Sequence, residues 1–327
     1  MLQKAEAGVN GAQIRLLAYL WVACYRHVPY PGDRNMSEWQ DIVQQRPTDI
    51  DEAIPALRRA LEYYHKHNDY RAVFLRAYYI ISLEVHAAVH QLGDYKEQQI
   101  FFDPDWESAL AGKFASLYFQ SLTTDERPAE SEKAWKLAHK MAVEKSSTVL
   151  QDLILGLNAH INYDLAYGVS LNLKETGWDA NELPRRKFDH DQINNILVRC
   201  TPRIQEVLTR DYGGGMMILS RFFGNWDERL TELGLKYYRE RVWGNAISYL
   251  HAGTGREKNL VHDKLNWESF KVAKFMTRRV FWQQVVWFFG RLLRKRRFGR
   301  IQLEGIGGMA AARQKTAPLL KHAVQPF

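Results

Sequence analysis

The chain has 327 residues, of which 46% are apolar, 13% aromatic and 25% charged. A chain of this length can bury a substantial core as one large or two smaller domains, and its composition excludes a disordered protein. Cys24 and Cys200 lie far apart without metal-ligand spacing, which argues against a disulfide framework or zinc knuckle and favours a cytoplasmic location.

The net charge of +8 originates in one segment of the chain. Residues 271–300 contain ten Lys or Arg and no Asp or Glu, and removing these ten from the 45 basic residues leaves 35 against 37 acidic ones. The rest of the chain is therefore close to neutral, unlike a protein with basic grooves over its whole surface. We expect no nucleic-acid partner.

Almost every segment has the apolar periodicity of an α-helix, and the alternation typical of strands is scarce. No uninterrupted apolar run reaches the roughly 20 residues that cross a bilayer. Thr48, Asp103 and Asp189 are predicted N-caps. The helices are predicted at residues 14–25, from 37, and at 48–65, 70–92, 103–122, 129–145, 146–173, 189–209, 216–223, 227–250 and 267–297. This density of helices predicts an all-α, multi-helix bundle.

The predicted helix over residues 146–173 is apolar on nearly every side, which is typical of a helix in the centre of a protein. Its middle nevertheless carries Asn158, His160, Asn162 and Asp164. Buried polar groups are costly unless they form hydrogen bonds, so the fold must supply partners for all four. Gly156 precedes them and would allow a neighbouring helix or a ligand to approach closely. We place the candidate functional site here.

His160 and Asp164 are one helical turn apart and can reach the same point. An imidazole nitrogen and a carboxylate oxygen are ligands for divalent Zn, Fe or Mn. Two ligands do not complete a metal site, so we expect Asp191 of the next predicted helix to be the third. Asn194 of that helix is expected to position the substrate, and all four residues are candidates for catalysis.

Two further sets of residues extend this hypothesis. Asn158 and Asn162 are predicted to bind substrate together with the residue at 194. Glu84, His86 and His90 are a second potential source of ligands, because the two histidines are again four positions apart. The simpler interpretation of these histidines is that they are exposed at the end of their helix.

Three interpretations of the central polar cluster stay open at this point. The first is a metal-dependent, hydrolase-like enzyme in which the ion lowers the pKa of bound water. The second is a metal-free isomerase or cyclase in which Asp164 orients His160 as the base. The third is a hydrogen-bonded network that fixes helix register in a non-enzymatic helical protein, which binds a membrane surface or a partner. Apolar and aromatic neighbours predict a hydrophobic small molecule or lipid as the ligand.

Residues 156–165 resemble the signature Gly-Met-Asn-Ala-His-Ile-Asn-x-Asp-Leu of a helical family of unknown function found in bacteria and some fungi. Residues 188–197 resemble the family's second element, an Asp-x-x-x-x-Asn-x-x-Leu helix, and residues 71–81 and 102–118 resemble its earlier helices. Leu157 stands where methionine is usual, a change that conserves volume.

This resemblance extends over roughly residues 55–245 and implies a shared helical fold. It marks His160, Asp164, Asp191 and Asn194 as matching positions. It implies no activity, since none is assigned to the family.

The basic C-terminal segment carries a predicted amphipathic helix with an aromatic and a cationic face, a pattern that suits an anionic membrane surface. We identify Trp282, Phe289, Arg294 and Arg297 as the membrane-facing residues. The alternative is a helix packed on the core with a solvated basic end. We therefore divide the chain into a helical core domain, residues 1–262, and a region of residues 263–327 that holds this helix and a loosely ordered tail.

Overall fold

A computed structural model describes residues 36–123, 133–213, 226–277, 293–295, 297–299, 301 and 303–305. The chain forms two compact units, Met1–Trp39 and Gln40–Phe327, and the site described below belongs entirely to the second. The predicted helices at 14–25 and 216–223 lie outside the described residues, as do Trp282 and Phe289.

The described residues confirm the predicted all-α bundle and contain no β-strand, only an isolated antiparallel bridge between Gly213 and Arg294. A 3-10 turn lies at Gly93–Tyr95, and a π-helical turn at His160–Asp164 joins two α-helices. The α-helices are α1 (Met36–Val43), α2 (Ile50–His67), α3 (Ala72–Val89), α4 (Pro104–Ser121), α5 (Lys133–Val143), α6 (Val149–Ala159), α7 (Leu165–Thr176), α8 (Glu182–Tyr212), α9 (Trp226–His251) and α10 (Gly255–Met276).

Side chains that accept backbone hydrogen bonds define several helix starts. Asp103 caps α4 as predicted, and the proline at the first helical position strengthens this start. Thr148 caps α6 in a reciprocal capping box with Gln151. The cap of α2 is Asp49, one residue after the predicted Thr48, whose hydroxyl group instead contacts a glutamate side chain in the first turn.

The start of α8 differs most from its prediction. This helix begins at Glu182, so Asp189 lies inside it and the predicted N-cap there is wrong. The Asp189 carboxylate accepts hydrogen bonds from the backbone N–H groups of Phe102 and Asp103, at 2.6 and 2.9 Å. It thereby satisfies backbone donors just before α4 instead of donors of its own helix. Pro202 lies within α8 and does not end it.

The core of the bundle is built around α3 and the α6–π-turn–α7 segment. The stretch Ala72–Tyr95 is long and apolar enough to cross a membrane, but 89% of its most apolar window is buried inside the protein, as expected for a core helix. The α6–π-turn–α7 segment packs against α3, α4, α5, α9 and α10, which places the predicted central helix in the middle of the bundle. A Cβ atom at Gly156 would lie 2.6 Å from the Cβ of Phe74, so the predicted close approach is that of α3.

Helix α10 begins at Gly255, earlier than the predicted start at residue 267, because Thr254 and Glu257 form a capping box. The predicted boundary between the two regions of the chain, after residue 262, falls inside this helix. Leu265 and Ala273 beyond it are buried.

The prediction that Arg294 faces a membrane is wrong. Its guanidinium group is buried, donates to the carboxylate of Asp152 at 2.7 Å and also donates to the backbone oxygen of Ser147. Burial of that carboxylate in the core demands a cationic partner, and the C-terminal segment supplies it. Arg297, in contrast, is exposed.

Part of the predicted loose tail is also held against the bundle. The Glu304 carboxylate forms ion pairs with Arg76 at 2.8 Å and with Arg203 at 2.7 Å. The Tyr79 hydroxyl group donates to the backbone oxygen of Glu304 at 2.9 Å. Glu304 is therefore one of the C-terminal residues that pack on the bundle.

Candidate active site

The π-helical turn brings His160 and Asp164 together as the sequence predicts. The His160 Nδ1 atom lies 3.0 Å from Asp164 Oδ2, and the two residues are only 2% and 0% exposed. The same carboxylate oxygen accepts a hydrogen bond from the indole N–H of Trp135 at 2.9 Å. Single π-turns inserted in α-helices are frequent at functional sites.

This arrangement determines which imidazole nitrogen carries the proton. A carboxylate oxygen can only accept, so the Nδ1 atom of His160 is the donor to Asp164. Burial lowers the pKa of His160 well below its ordinary value, so the imidazole is neutral. The lone pair of the neutral ring therefore lies at Nε2. This buried atom has no hydrogen-bond partner among the described residues.

Aromatic rings surround the imidazole of His160. The Phe114 ring stacks on it face to face, with centroids 3.4 Å apart and planes inclined by 8°. The rings of Tyr78 and Phe74 contact it edge-on, with centroid distances of 4.4 and 5.4 Å. This packing holds the imidazole plane in one orientation.

His160 forms part of the wall of an interhelical cavity. The cavity has a volume of about 80 Å³. This is several times the roughly 10–15 Å³ that one water molecule needs, so the cavity has room for part of a small molecule. Aliphatic and aromatic side chains from α2, α3, α4, α6, α7, α8 and the π-turn make up most of the wall. The polar members are Tyr78, Ser82, Glu107, His160 and Arg239.

Glu107 is a second ionisable group in this wall that the sequence did not reveal. It is 2% exposed, and its Oε1 atom is without a hydrogen-bond partner in the described part of the chain. Burial raises the pKa of Glu107 to about 8, so at neutral pH it is mainly a protonated carboxylic acid. Leu110, Ala111 and Phe114 follow at helical spacing and also line the cavity, and this stripe was the signal that the glutamate faces inward.

Arg239 of α9 contributes a buried cation to the same cavity. Its guanidinium group donates to the backbone oxygen of His190 at 2.5 Å. Burial lowers the pKa of Arg239 to about 10, so it stays protonated at neutral pH. Its charge acts to lower the pKa of Glu107, against the larger effect of burial.

The structure does not bring Asp191 to the pair formed by His160 and Asp164. The Asp191 side chain is 42% exposed and lies 2.5 Å from the ammonium group of Lys187. Among the described residues, one set of three His, Cys, Asp or Glu side chains has all its ligand atoms within 4.8 Å of one another. That set includes none of the three predicted metal ligands. The predicted metal triad is therefore not formed.

The register of α8 explains this outcome. Ile193 and Leu197 of this helix line the cavity. Asp191 is two residues before Ile193, which is about 200° around a helix, and so points to another side. Asn194 is buried, and its Oδ1 atom has no hydrogen-bond partner among the described residues. Asn194 does not line the cavity as the described residues define it.

Asn158 and Asn162 form a hydrogen-bonded link to α10. The Asn158 amide group donates to the backbone oxygen of Ser269, and the Asn162 amide group donates to Asn158 Oδ1, both at 2.9 Å. Neither asparagine belongs to the cavity wall that the described residues define. The Asn158 contact joins the central segment to α10, and Asn162 supports the Asn158 side chain.

Neither the comparison with curated proteins nor the comparison with solved structures gives a match. One family model matches residues 50–279, a range that includes every described residue of the cavity wall. The chain therefore belongs to the family described as "Family of unknown function (DUF5995)".

Proposed function

We propose that the protein is an enzyme that moves a proton on a hydrophobic small molecule or lipid bound in the cavity, with no metal ion at His160. His160 is the base, Asp164 orients it, and Glu107 is the acid. One observation carries this proposal: the Nε2 atom of His160 is buried in the wall of an apolar cavity without a hydrogen-bond partner among the described residues.

A buried polar atom without a partner is uncommon in folded proteins and costs about 1–3 kcal/mol. A ligand with an acidic proton would remove this cost by placing that proton at Nε2. The cavity wall is otherwise mainly apolar, so the rest of the ligand should be hydrophobic.

The Asp164 carboxylate supports the transfer in two ways. It holds the ring in the tautomer that leaves Nε2 free to accept a proton. When the proton arrives, the negative charge 3.0 Å from Nδ1 stabilises the imidazolium ion. Trp135 donates to the same oxygen atom and keeps the carboxylate in position.

Glu107 acts as the acid because its elevated pKa keeps it protonated at neutral pH. A base and an acid in one cavity suit an isomerisation or a cyclisation. The substrate gives one proton to His160 and receives one from Glu107, so its elemental composition is unchanged. Return of the proton from the imidazolium to the carboxylate resets the site.

The geometry favours this chemistry over metal-dependent hydrolysis at His160. The Nδ1 atom is engaged by Asp164, and Asp191, the third expected ligand, is paired with Lys187 at the surface. A site with one free imidazole nitrogen does not offer the three protein ligands that catalytic zinc sites use.

The second candidate function is binding of a hydrophobic molecule without reaction, as in a carrier. The largely apolar cavity wall favours it. Both functions predict a bound ligand, and only the enzyme predicts exchange of ligand hydrogen with solvent.

The test is deuterium incorporation. The purified protein is incubated in D2O with an organic-solvent extract of its native cells, and mass spectrometry identifies compounds that gain deuterium only when protein is present. The wild type and an Asp191→Asn control should incorporate deuterium equally. His160→Gln and Glu107→Gln should bind the same compound and lose incorporation by at least about 100-fold. Binding without incorporation in the wild type would support the carrier, and full activity of His160→Gln would refute the assignment of the base.

A further inference from the structure

A second cluster of ionisable side chains lies between the first turn of α2 and the end of α3. The His86 Nε2 atom is 3.0 Å from Asp51 Oδ1, and His90 Nε2 is 3.1 Å from both oxygens of the same carboxylate. Among the residues that the structure describes, this is the only set of three in which all ligand atoms lie within 4.8 Å of one another.

The fold assembles this cluster from three simple features. The two histidines are four positions apart and therefore lie on one face at the end of α3. Asp51 is in the first turn of α2, which packs against α3. Glu84, the partner expected from the sequence, instead accepts a hydrogen bond from the Tyr95 hydroxyl group at 2.9 Å.

The separations fit a metal-ion coordination shell. With metal–ligand bonds of about 2.1 Å, neighbouring ligand atoms are about 3.0 Å apart in an octahedron and about 3.4 Å apart in a tetrahedron. The observed separations of 3.0 and 3.1 Å between the nitrogens and the carboxylate are those of an octahedral edge. The two nitrogens and the carboxylate oxygen all lie within 4.8 Å of one another, so one ion placed between them could take the place of the shared protons.

The chemistry of the ligands narrows the choice of ion. Two imidazole nitrogens and one carboxylate are the ligand set of non-haem iron sites and of several zinc enzymes. His86 is buried, whereas the Asp51 side chain is 55% exposed and that of His90 40% exposed. One side of the cluster therefore faces solvent, which leaves coordination positions for water or a substrate group.

The cluster lies beside the cavity. Ser82 and Ile50 line the cavity wall. His86 follows Ser82 by four residues of α3, about 6 Å along the helix, and Asp51 follows Ile50 directly. We infer that Asp51, His86 and His90 form a binding site for one divalent transition-metal ion, zinc or iron, next to the cavity. This site shares no residue with the proposed acid–base pair, so either assignment can fail without the other.

The test is a titration of tag-free, full-length protein that has been dialysed against a chelator. Isothermal titration calorimetry with zinc sulfate measures stoichiometry and affinity, and Co²⁺ added in place of zinc reports coordination through its absorption spectrum. The wild type should bind one ion per chain. His90→Ala removes a half-exposed ligand that the core does not require, and it should weaken binding at least about tenfold.

His251→Ala is the matched control, because this exposed histidine is outside the cluster and contacts a backbone oxygen of its own helix and the Trp178 ring. It should bind zinc like the wild type. Circular dichroism of both variants confirms that each is folded. Absence of stoichiometric binding in the wild type, unchanged binding by His90→Ala, or an equal loss in His251→Ala would overturn the inference.

Discussion

The carboxyl group of Glu107 leads to a quantitative prediction about stability and pH. Replacement of Glu107 by Gln keeps a neutral side chain of nearly the same shape but removes the titratable proton. Below about pH 4.5, where the wild-type carboxyl group is protonated in both the folded and the unfolded chain, the two proteins should have similar free energies of unfolding. At higher pH they should diverge, because only the wild type must keep an acid neutral inside its core.

The magnitude follows from the shift in pKa. Burial raises the pKa of Glu107 from 4.5 to about 8. Between these values the unfolded chain is ionised and the folded chain is protonated, so folding takes up a proton and stability falls as pH rises. Each pH unit in this window lowers the free energy of unfolding by about 1.4 kcal/mol. The wild type should therefore lose roughly 5 kcal/mol of stability relative to Glu107→Gln between pH 4.5 and pH 8.

Urea denaturation at pH 5, 6, 7 and 8 measures this difference directly. The difference in free energy of unfolding should grow steadily in favour of Glu107→Gln and level off above pH 8. A Glu97→Gln variant, altered at an exposed position, controls for the loss of one acid and should follow the wild type. If the gap between Glu107→Gln and the wild type is independent of pH, Glu107 is not the buried, neutral acid that the site requires.

Two further predictions concern packing of the bundle. Gly156→Ala places a methyl group against the side chain of Phe74 and should destabilise the protein by about 1–3 kcal/mol. Calorimetry should show a lower melting temperature, and an unchanged melting temperature would contradict the packing of α3 on α6. Arg294→Ala leaves the buried Asp152 carboxylate without its cation and should cost about 3–5 kcal/mol in urea denaturation. The exposed Arg297→Ala control should change the free energy of unfolding by less than about 0.5 kcal/mol, and equal effects of the two would place Arg294 at the surface.

Local signals in the sequence predicted much of the fold. The acid–proline pair at residues 103–104 gave the start of α4, and the continuous apolar surface of residues 146–173 gave the central position of α6 and α7. The spacing of His160 and Asp164 was enough to predict their contact. Each of these features depends on residues that are close together in the chain.

The predictions were wrong where contacts between distant parts of the chain determine the structure. Asp189 has the sequence of an N-cap, but its carboxylate binds backbone groups before α4, and α8 starts seven residues earlier without a side-chain cap. Asp191 lies outside the site because it is about 200° around α8 from Ile193, which lines the cavity. Asp51 lies in the first turn of a helix, where acids are common for electrostatic reasons, so its pattern did not separate it from an ordinary surface residue. Glu107 also lies in a first turn, and only the apolar stripe that follows it indicated that it faces inward.

The prediction for Arg294 in the basic segment was wrong for the same reason. Its helical pattern placed it on a cationic face, yet a carboxylate 142 positions away in sequence holds it in the core. Burial of a cation depends on such a partner, and periodicity carries no information about it.

The protonation state of His160 tests the central claim most directly. In protein labelled with ¹⁵N-histidine, the signals that disappear in His160→Gln identify this imidazole, and their chemical shifts report the proton on each ring nitrogen. At pH 7 we predict a neutral ring with its proton on Nδ1 and a bare Nε2 atom. A proton on Nε2, or an imidazolium ion in the empty cavity, would contradict the account.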